Sequence, residues 1–221
     1  NDSVQDSFMI KYHELEPFNS DGTVQVTHDT QVLLENVLDG RNYSIAVYAM
    51  SKDVPSEEEI VFQPTKPAPP VIGVLETIGN EQLNISWKSD VTSKQDSYKI
   101  TWIRNDTRAK EEAITKNNWL LLENLFPGAS YVINVSAISY GLISEPHSYV
   151  QTVFPRAPGG PQIAKASNSS VILTWVEPRD SLVDHYMVRY RPIGSTFWRE
   201  MSVTNITSTE IRDLVAGERY V

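Results

Sequence analysis

The chain has 221 residues, a formal charge of −9 and no cysteine. Lack of cysteine excludes disulfides, thiolate nucleophiles and Cys-based metal sites, and the acidic balance argues against a nucleic-acid or heparin surface. No apolar run approaches the ~20 residues that span a bilayer, and no signal-peptide pattern opens the chain.

The elements are lettered A to G, as in a seven-stranded antiparallel sandwich. Phe8, Ile10 and Tyr12 alternate with polar residues and predict a strand C. Val24 and Val26 predict C′, and Val32 and Leu34 predict E. A turn, Val37-Leu38-Asp39-Gly40-Arg41-Asn42-Tyr43, leads into F with Tyr43, Ile45 and Val47, and Ile60 and Phe62 give G. Pro64 to Pro70 reads as a short, stiff linker, because its prolines fix φ and remove donors.

A complete set follows. Val71 to Leu75 predicts an edge strand A, and Leu83, Ile85 and Trp87 predict B. Tyr98, Ile100 and Trp102 predict C, with a weaker strand around Ala113 to Thr115. Leu120 and Leu122 predict E, while Tyr131, Ile133, Val135 and Ala137 predict F. Tyr149 to Val153 predicts G. Pro155 to Pro161 is a second linker. Beyond it Val171, Leu173 and Trp175 predict B, and Tyr186, Val188 and Tyr190 predict C. Phe197 to Val203 predicts C′, and Ile211 falls on E.

The elements repeat. Tyr43, Tyr131 and Tyr220 are 88 and 89 positions apart, Trp87 and Trp175 are 88 apart, and so are Tyr98 and Tyr186. A fixed period of this size means tandem copies of one small β-domain, each large enough to bury a modest core without staples. The expected boundaries are 1–64 (lacking strands A and B), 65–154 (complete) and 155–221 (lacking most of F and all of G). The first and last copies thus read as truncated, as in a fragment of a longer chain.

A Trp on B, an aromatic-x-Ile/Val-x-aromatic C strand, and the turn Leu125-Phe126-Pro127-Gly128-Ala129-Ser130-Tyr131 into F resemble fibronectin type III domains. The resemblance implies an all-β fold of tandem antiparallel sandwiches. Trp87 and Trp175 would be core. Tyr43, Tyr131 and Tyr220 would form tyrosine corners, each ring under the E–F turn and its hydroxyl bonded to backbone a few residues upstream. Gly40, Gly128 and Gly217 suit a turn position that takes φ > 0. The turn proline occurs only as Pro127, with Asp39 and Ala216 in its place elsewhere.

The sequons carry the functional reading. Asn1, Asn42, Asn84, Asn105, Asn134, Asn168 and Asn205, seven of thirteen asparagines, are followed at the second position by Ser or Thr with no intervening Pro. The Ser and Thr content predicts only about 2 by chance. Asn42, Asn84 and Asn134 alternate with inward residues and so fall on outer faces. N-glycosylation, and with it an extracellular location, is the expectation.

Catalytic patterns are weak. His13, His28, His147 and His185 are scattered, with none at metal-motif spacing. Asp180, Ser181, Asp184 and His185 are triad types, but they lie in a B–C loop without a Gly-x-Ser-x-Gly elbow. Gly159-Gly160 lacks a phosphate-loop continuation. Glu57 to Glu59 lack the alternating aspartates of a calcium loop and read as a charged strand end. No cofactor is expected. Trp87, Trp102, Trp119 and Trp175 read as core. Trp198, between Phe197 and Arg199, reads as packing against strand C, with a partner-binding edge as the alternative.

A narrower resemblance lies in Lys11 to Glu16, Gly40 to Ser44 and Leu83 to Asp90. These strings are similar to the ectodomains of insect receptor-type tyrosine-protein phosphatases of the third-class, 10D-like type. That resemblance implies a single-pass membrane receptor with a cytosolic phosphatase domain, acting in axon guidance and epithelial shape. This chain would be part of its extracellular stalk, attached to the membrane only through the parent's transmembrane segment. Its partner would be a protein ligand on a cell surface or in matrix, with no nucleic acid. Pro-rich linkers would hold the sandwiches end to end as a semi-rigid rod. The alternative is a cell-adhesion or matrix protein with no enzymatic domain. A third reading, an intracellular muscle-type array, is opposed by the sequon excess.

Overall fold

A computed structural model describes residues 6–16 and 22–221, and in them every regular element is a β-strand. The first sandwich contributes one sheet. Its strands are β1 (Ser7–Glu14), β2 (Thr23–Thr27), β3 (Asn42–Ser51), β4 (Val54–Pro55) and β5 (Glu59–Pro64), in the order β2-β1-β3-β4 with β5 beside β3. The alternation in β1 works as expected. Ile10 and Tyr12 are buried, and with Tyr43 they form a cluster on which Phe8, Val32, Leu34, Val37 and Ile45 pack.

One expectation fails here. Val32 and Leu34 form no strand, whereas Val47 lies on β3 as expected, though exposed. An E strand takes its ladder from B, and B has no counterpart among the described residues of this sandwich. The apolar side chains still pack, but the backbone has no partner. On the other face of β3, Ser44 and Ala46 are buried although their parity points them outward. They sit directly across from Phe62 and Ile60 of β5, whose larger side chains flank them on that face.

The middle sandwich has both sheets. One is β6 (Val71–Ile78), β7 (Gln82–Lys88) and β10 (Trp119–Leu122), in the order β10-β7-β6. The other holds β8 (Ser97–Arg104), β9 (Lys110–Thr115), β11 (Ser130–Ser139), β12 (Leu142–Ile143) and β13 (His147–Thr152), in the order β12-β11-β8-β9 with β13 beside β11. Strict alternation makes its core. Leu83, Ile85 and Trp87 on β7, Tyr98, Ile100 and Trp102 on β8, and Tyr131, Ile133, Val135 and Ala137 on β11 are all buried. Trp119 is not core and is 52% exposed. It shares the outward parity of β10 with Leu121, while Leu122 faces in.

The hairpins closing β3–β4 and β11–β12 are absent from the sequence reading. Each turns on two residues at positive φ, Lys52 and Asp53 in one and Tyr140 and Gly141 in the other. This geometry matches strand twist in two-residue loops.

The third sandwich pairs β14 (Gly159–Ala166), β15 (Val171–Val176) and β18 (Ser208–Ile211) in the order β14-β15-β18. A second, two-stranded sheet pairs β16 (His185–Tyr190) with β17 (Arg199–Thr204). Strand β14 starts at Gly159, so Pro161 lies in an edge strand rather than in the linker, a place proline tolerates. Strand β17 starts at Arg199, which leaves Phe197 and Trp198 before the strand. Trp175, Val188, Val203 and Ile211 make the core.

Contacts gather into two compact units. One is Asn1–Leu75, Asn84–Leu120 and Tyr131–Gln151, and the other is Glu76–Leu83, Leu121–Ser130 and Thr152–Val221.

Candidate functional site

Within the first unit, the E–F turn of the first sandwich and the B–C loop of the middle one build a charged cluster. Asp90 shapes the loop by accepting from the backbone N–H (2.8 Å) and the hydroxyl (2.6 Å) of Thr92. The Thr92 hydroxyl first, then its backbone amide, hold the Asp90 carboxyl below the usual carboxylate range. The loop carbonyl of Thr92 accepts from Arg41 Nη2 (3.0 Å). Arg41 Nη1 reaches Glu14 Oε1 at 2.9 Å, and Lys94 Nζ reaches the same oxygen at 3.3 Å. Lys94 Nζ also donates to the Glu16 carbonyl at 2.6 Å. Ser139, fully buried, donates to the Gly40 carbonyl at 2.9 Å. One carboxylate thus serves two cations, one on the E–F turn and one on the B–C loop. Glu14 and Arg41 side chains are only 17% and 15% exposed, so this pair is screened less than an open surface bridge.

A folded-state carboxyl held below its unfolded pKa contributes stability above the ordinary carboxylate range and loses it as pH falls through the lowered value. The Thr92 amide resonance should therefore hold still down to the ordinary carboxylate range and move only below it. Movement already within that range would mean that the Asp90 turn is not formed in solution.

The triad-type residues do another job. Ser181 Oγ accepts from Arg156 N–H at 3.0 Å, so the hydroxyl anchors the linker. Among the described residues, no group of three His, Asp or Glu side chains is placed to hold a metal ion. No helix of the described residues is long and apolar enough to cross a membrane.

Trp198 packs against strand C, as expected, through two arginines. The guanidinium of Arg189 lies 5.0 Å from its ring and that of Arg191 lies 4.6 Å away. Both come from or just after β16, which the sequence places across the hairpin from Trp198. Arg189 is also paired with Glu200 at 2.9 Å. Phe197 beside this stack is 83% exposed.

The sequon asparagines fall into two groups. Asn105, Asn168 and Asn205 are exposed in loops. Asn42, Asn84 and Asn134 sit half-buried on strands. Asn134 donates to Thr101 Oγ1 (3.2 Å) and accepts from Ser148 Oγ (2.6 Å). Asn42 Oδ1 is buried without a partner among the described residues. Asn1 lies outside the described residues. The tyrosine hydroxyls of two turns meet backbone: Leu38 N–H donates to Tyr43 Oη (2.8 Å) and Val215 N–H to Tyr220 Oη (3.0 Å). Tyr131 is buried at the equivalent place in the middle sandwich.

The family profile of the Fibronectin type III domain matches residues 67–153 and 156–221. The collagen alpha-1(XII) chain of Oryctolagus cuniculus is 25% identical over 99% of this chain and 35% of its own length. Contactin-1 of Homo sapiens is 29% identical over 71% of this chain and 15% of its own. Receptor-type tyrosine-protein phosphatase H of Homo sapiens is 26% identical over 88% of this chain and 18% of its own. The chain therefore spans about a third or less of the length of these relatives.

Proposed function

Because this chain belongs to the fibronectin type III family, its domain profile matching 153 of 221 residues (87 in 67–153 plus 66 in 156–221), we propose that it is an extracellular spacing and recognition segment of a cell-surface receptor. The observation that carries the reading is the sequon excess together with its placement. Three acceptor asparagines, Asn105, Asn168 and Asn205, stand exposed in loops where a transferase can reach them. Glycans there would shield open strand edges from lateral pairing. Recognition of a protein ligand would fall to loops and edges, since repeated sandwiches offer few enclosed sites.

The receptor we assign is of the receptor-type tyrosine phosphatase class. Support comes from the likeness to phosphatase H and from the strings Lys11 to Glu16, Gly40 to Ser44 and Leu83 to Asp90, which point to the 10D-like insect type. Dephosphorylation would belong to a cytosolic domain with a Cys nucleophile, which a chain without cysteine does not carry. The tyrosine corners at Tyr43, Tyr131 and Tyr220 and the cores around Trp87 and Trp175 would serve the stalk by fixing each sandwich. A second reading, a matrix or adhesion protein without an enzyme, is favoured by the collagen alpha-1(XII) match, which runs over 99% of this chain.

Secretion of this chain from insect or mammalian cells, followed by glycosidase treatment and peptide mass spectrometry, tests the location. Expected is a mass loss, with glycans at Asn105, Asn168 and Asn205. A secreted product bare at all three overturns the extracellular reading. Translating the transcript further in the 3′ direction separates the two functions. A membrane span followed by a phosphatase domain supports the receptor, and a stop codon or lipid-anchor signal supports the matrix or adhesion protein.

A further inference from the structure

The turn glycines meet more than their own turn. Gly40 has φ +67° and Gly128 has φ +75°, the left-handed region that favours glycine. A Cβ on Gly40 would stand 1.9 Å from the carbonyl oxygen of Lys94, and one on Gly128 would stand 2.0 Å from that of Leu182. Both obstacles are backbone and cannot swing aside. Lys94 and Leu182 hold the same place 88 residues apart, in the B–C loop of the sandwich that follows each turn.

The surrounding hydrogen bonds repeat at the same spacing. Lys94 N–H donates to the Asp39 carbonyl (3.2 Å), as Leu182 N–H does to that of Pro127 (2.9 Å). Gly40 N–H donates to the Lys66 carbonyl (2.9 Å), as Gly128 N–H does to that of Phe154 (3.2 Å). Ala68 N–H donates to Ser93 Oγ (2.9 Å), as Arg156 N–H does to Ser181 Oγ (3.0 Å). The first member of each pair lies within the first compact unit and the second within the second. The side chains around them differ: Asp39 and Lys94 in one set, Pro127 and Leu182 in the other. The third turn, at Gly217, has φ +78° and nothing within 4 Å of an added Cβ.

We propose that the E–F turn is a backbone-built socket for the B–C loop of an adjoining fibronectin type III sandwich, and that the docked loop, as well as the turn, requires glycine there. Because main-chain atoms join loop to turn, that contact survives replacement of the side chains around it, while the Ser93 and Ser181 hydroxyls tie the loop to the linker. The inference rests on this geometry and holds for a receptor or a matrix protein alike.

Gly40→Ala, Gly128→Ala and Gly217→Ala in the full chain test it, since all three strain the turn but only the first two meet a carbonyl. Hydrogen exchange should show the Lys94 amide in Gly40→Ala and the Leu182 amide in Gly128→Ala losing protection by about tenfold or more. Gly217→Ala should leave both amides as they are. In Gly128→Ala, trypsin should also cut faster after Arg156. Unchanged protection at Lys94 and Leu182 overturns the proposal. Should an alanine variant fail to fold, Ser93→Ala and Ser181→Ala remove one bond of each set from outside the turn. They should free the Ala68 and Arg156 amides yet leave the Lys94 and Leu182 amides protected, and loss of protection at Lys94 and Leu182 would overturn the backbone-built contact.

Discussion

Trp87→Ala should unfold the middle sandwich at markedly lower denaturant, with a loss of about 3–5 kcal/mol. The indole is 1% exposed on β7, between Ile85 and the exposed Lys88, and its ring meets Tyr98 edge-on with centroids 5.3 Å apart at 66°. Such an aromatic pair is worth about 0.5–1.5 kcal/mol beyond the area it buries. A loss of this size is a large fraction of the roughly 5–15 kcal/mol that holds a domain together. The indole N–H is buried without an acceptor among the described residues, so it contributes desolvation cost and no bond. Trp87→Phe should therefore cost much less than the alanine, because it keeps an aromatic ring and removes that orphan donor. Exchange of the Ile133 and Val135 amides reports this sandwich by itself, which a whole-chain melt of several domains does not. Equal losses for the alanine and phenylalanine variants would sink the packing argument.

How far such a core can be read from sequence depends on the partner strand. In β7, β8 and β11 both sheets are present, and period-two alternation places Leu83, Ile85, Trp87, Ile100, Ile133 and Val135 inside. Trp119 shows the limit of judging by residue type. Its parity on β10 is opposite to that of Leu122, and parity decides. Val32 and Leu34 show another limit. Their pattern is that of a strand, but a ladder needs a partner, and none stands beside them among the described residues. For Trp198 the sequence places the ring against strand C, and the particular cation–π partners Arg189 and Arg191 follow only once β16 and β17 pair. The repeat of Gly40 and Gly128 is visible as letters. That each faces a carbonyl 54 residues further on (94 − 40 and 182 − 128) is not, because nothing local encodes a contact at that separation.

Tyr43→Ala should be the most costly change in the first sandwich, at about 3–5 kcal/mol for the ring, with Tyr43→Phe costing about 1–3 kcal/mol of that. Tyr43 is buried with Ile10 and Tyr12, and its hydroxyl oxygen takes the Leu38 N–H at 2.8 Å in a part-buried setting. Phenylalanine keeps the ring and removes an acceptor that is itself buried, Tyr43 being 7% exposed. The equivalent change at Tyr220 offers a control. Its bond from Val215 N–H is 3.0 Å long and exposed, so water takes over the donor and Tyr220→Phe should fall within about 0.5 kcal/mol of the native chain. Hydrogen exchange of the Leu38 and Val215 amides reads the two sites separately. The Leu38 amide should lose protection in Tyr43→Phe, while the Val215 amide starts nearly unprotected and changes little. If the two substitutions cost the same, burial of the accepting tyrosine is not what sets the strength of the corner.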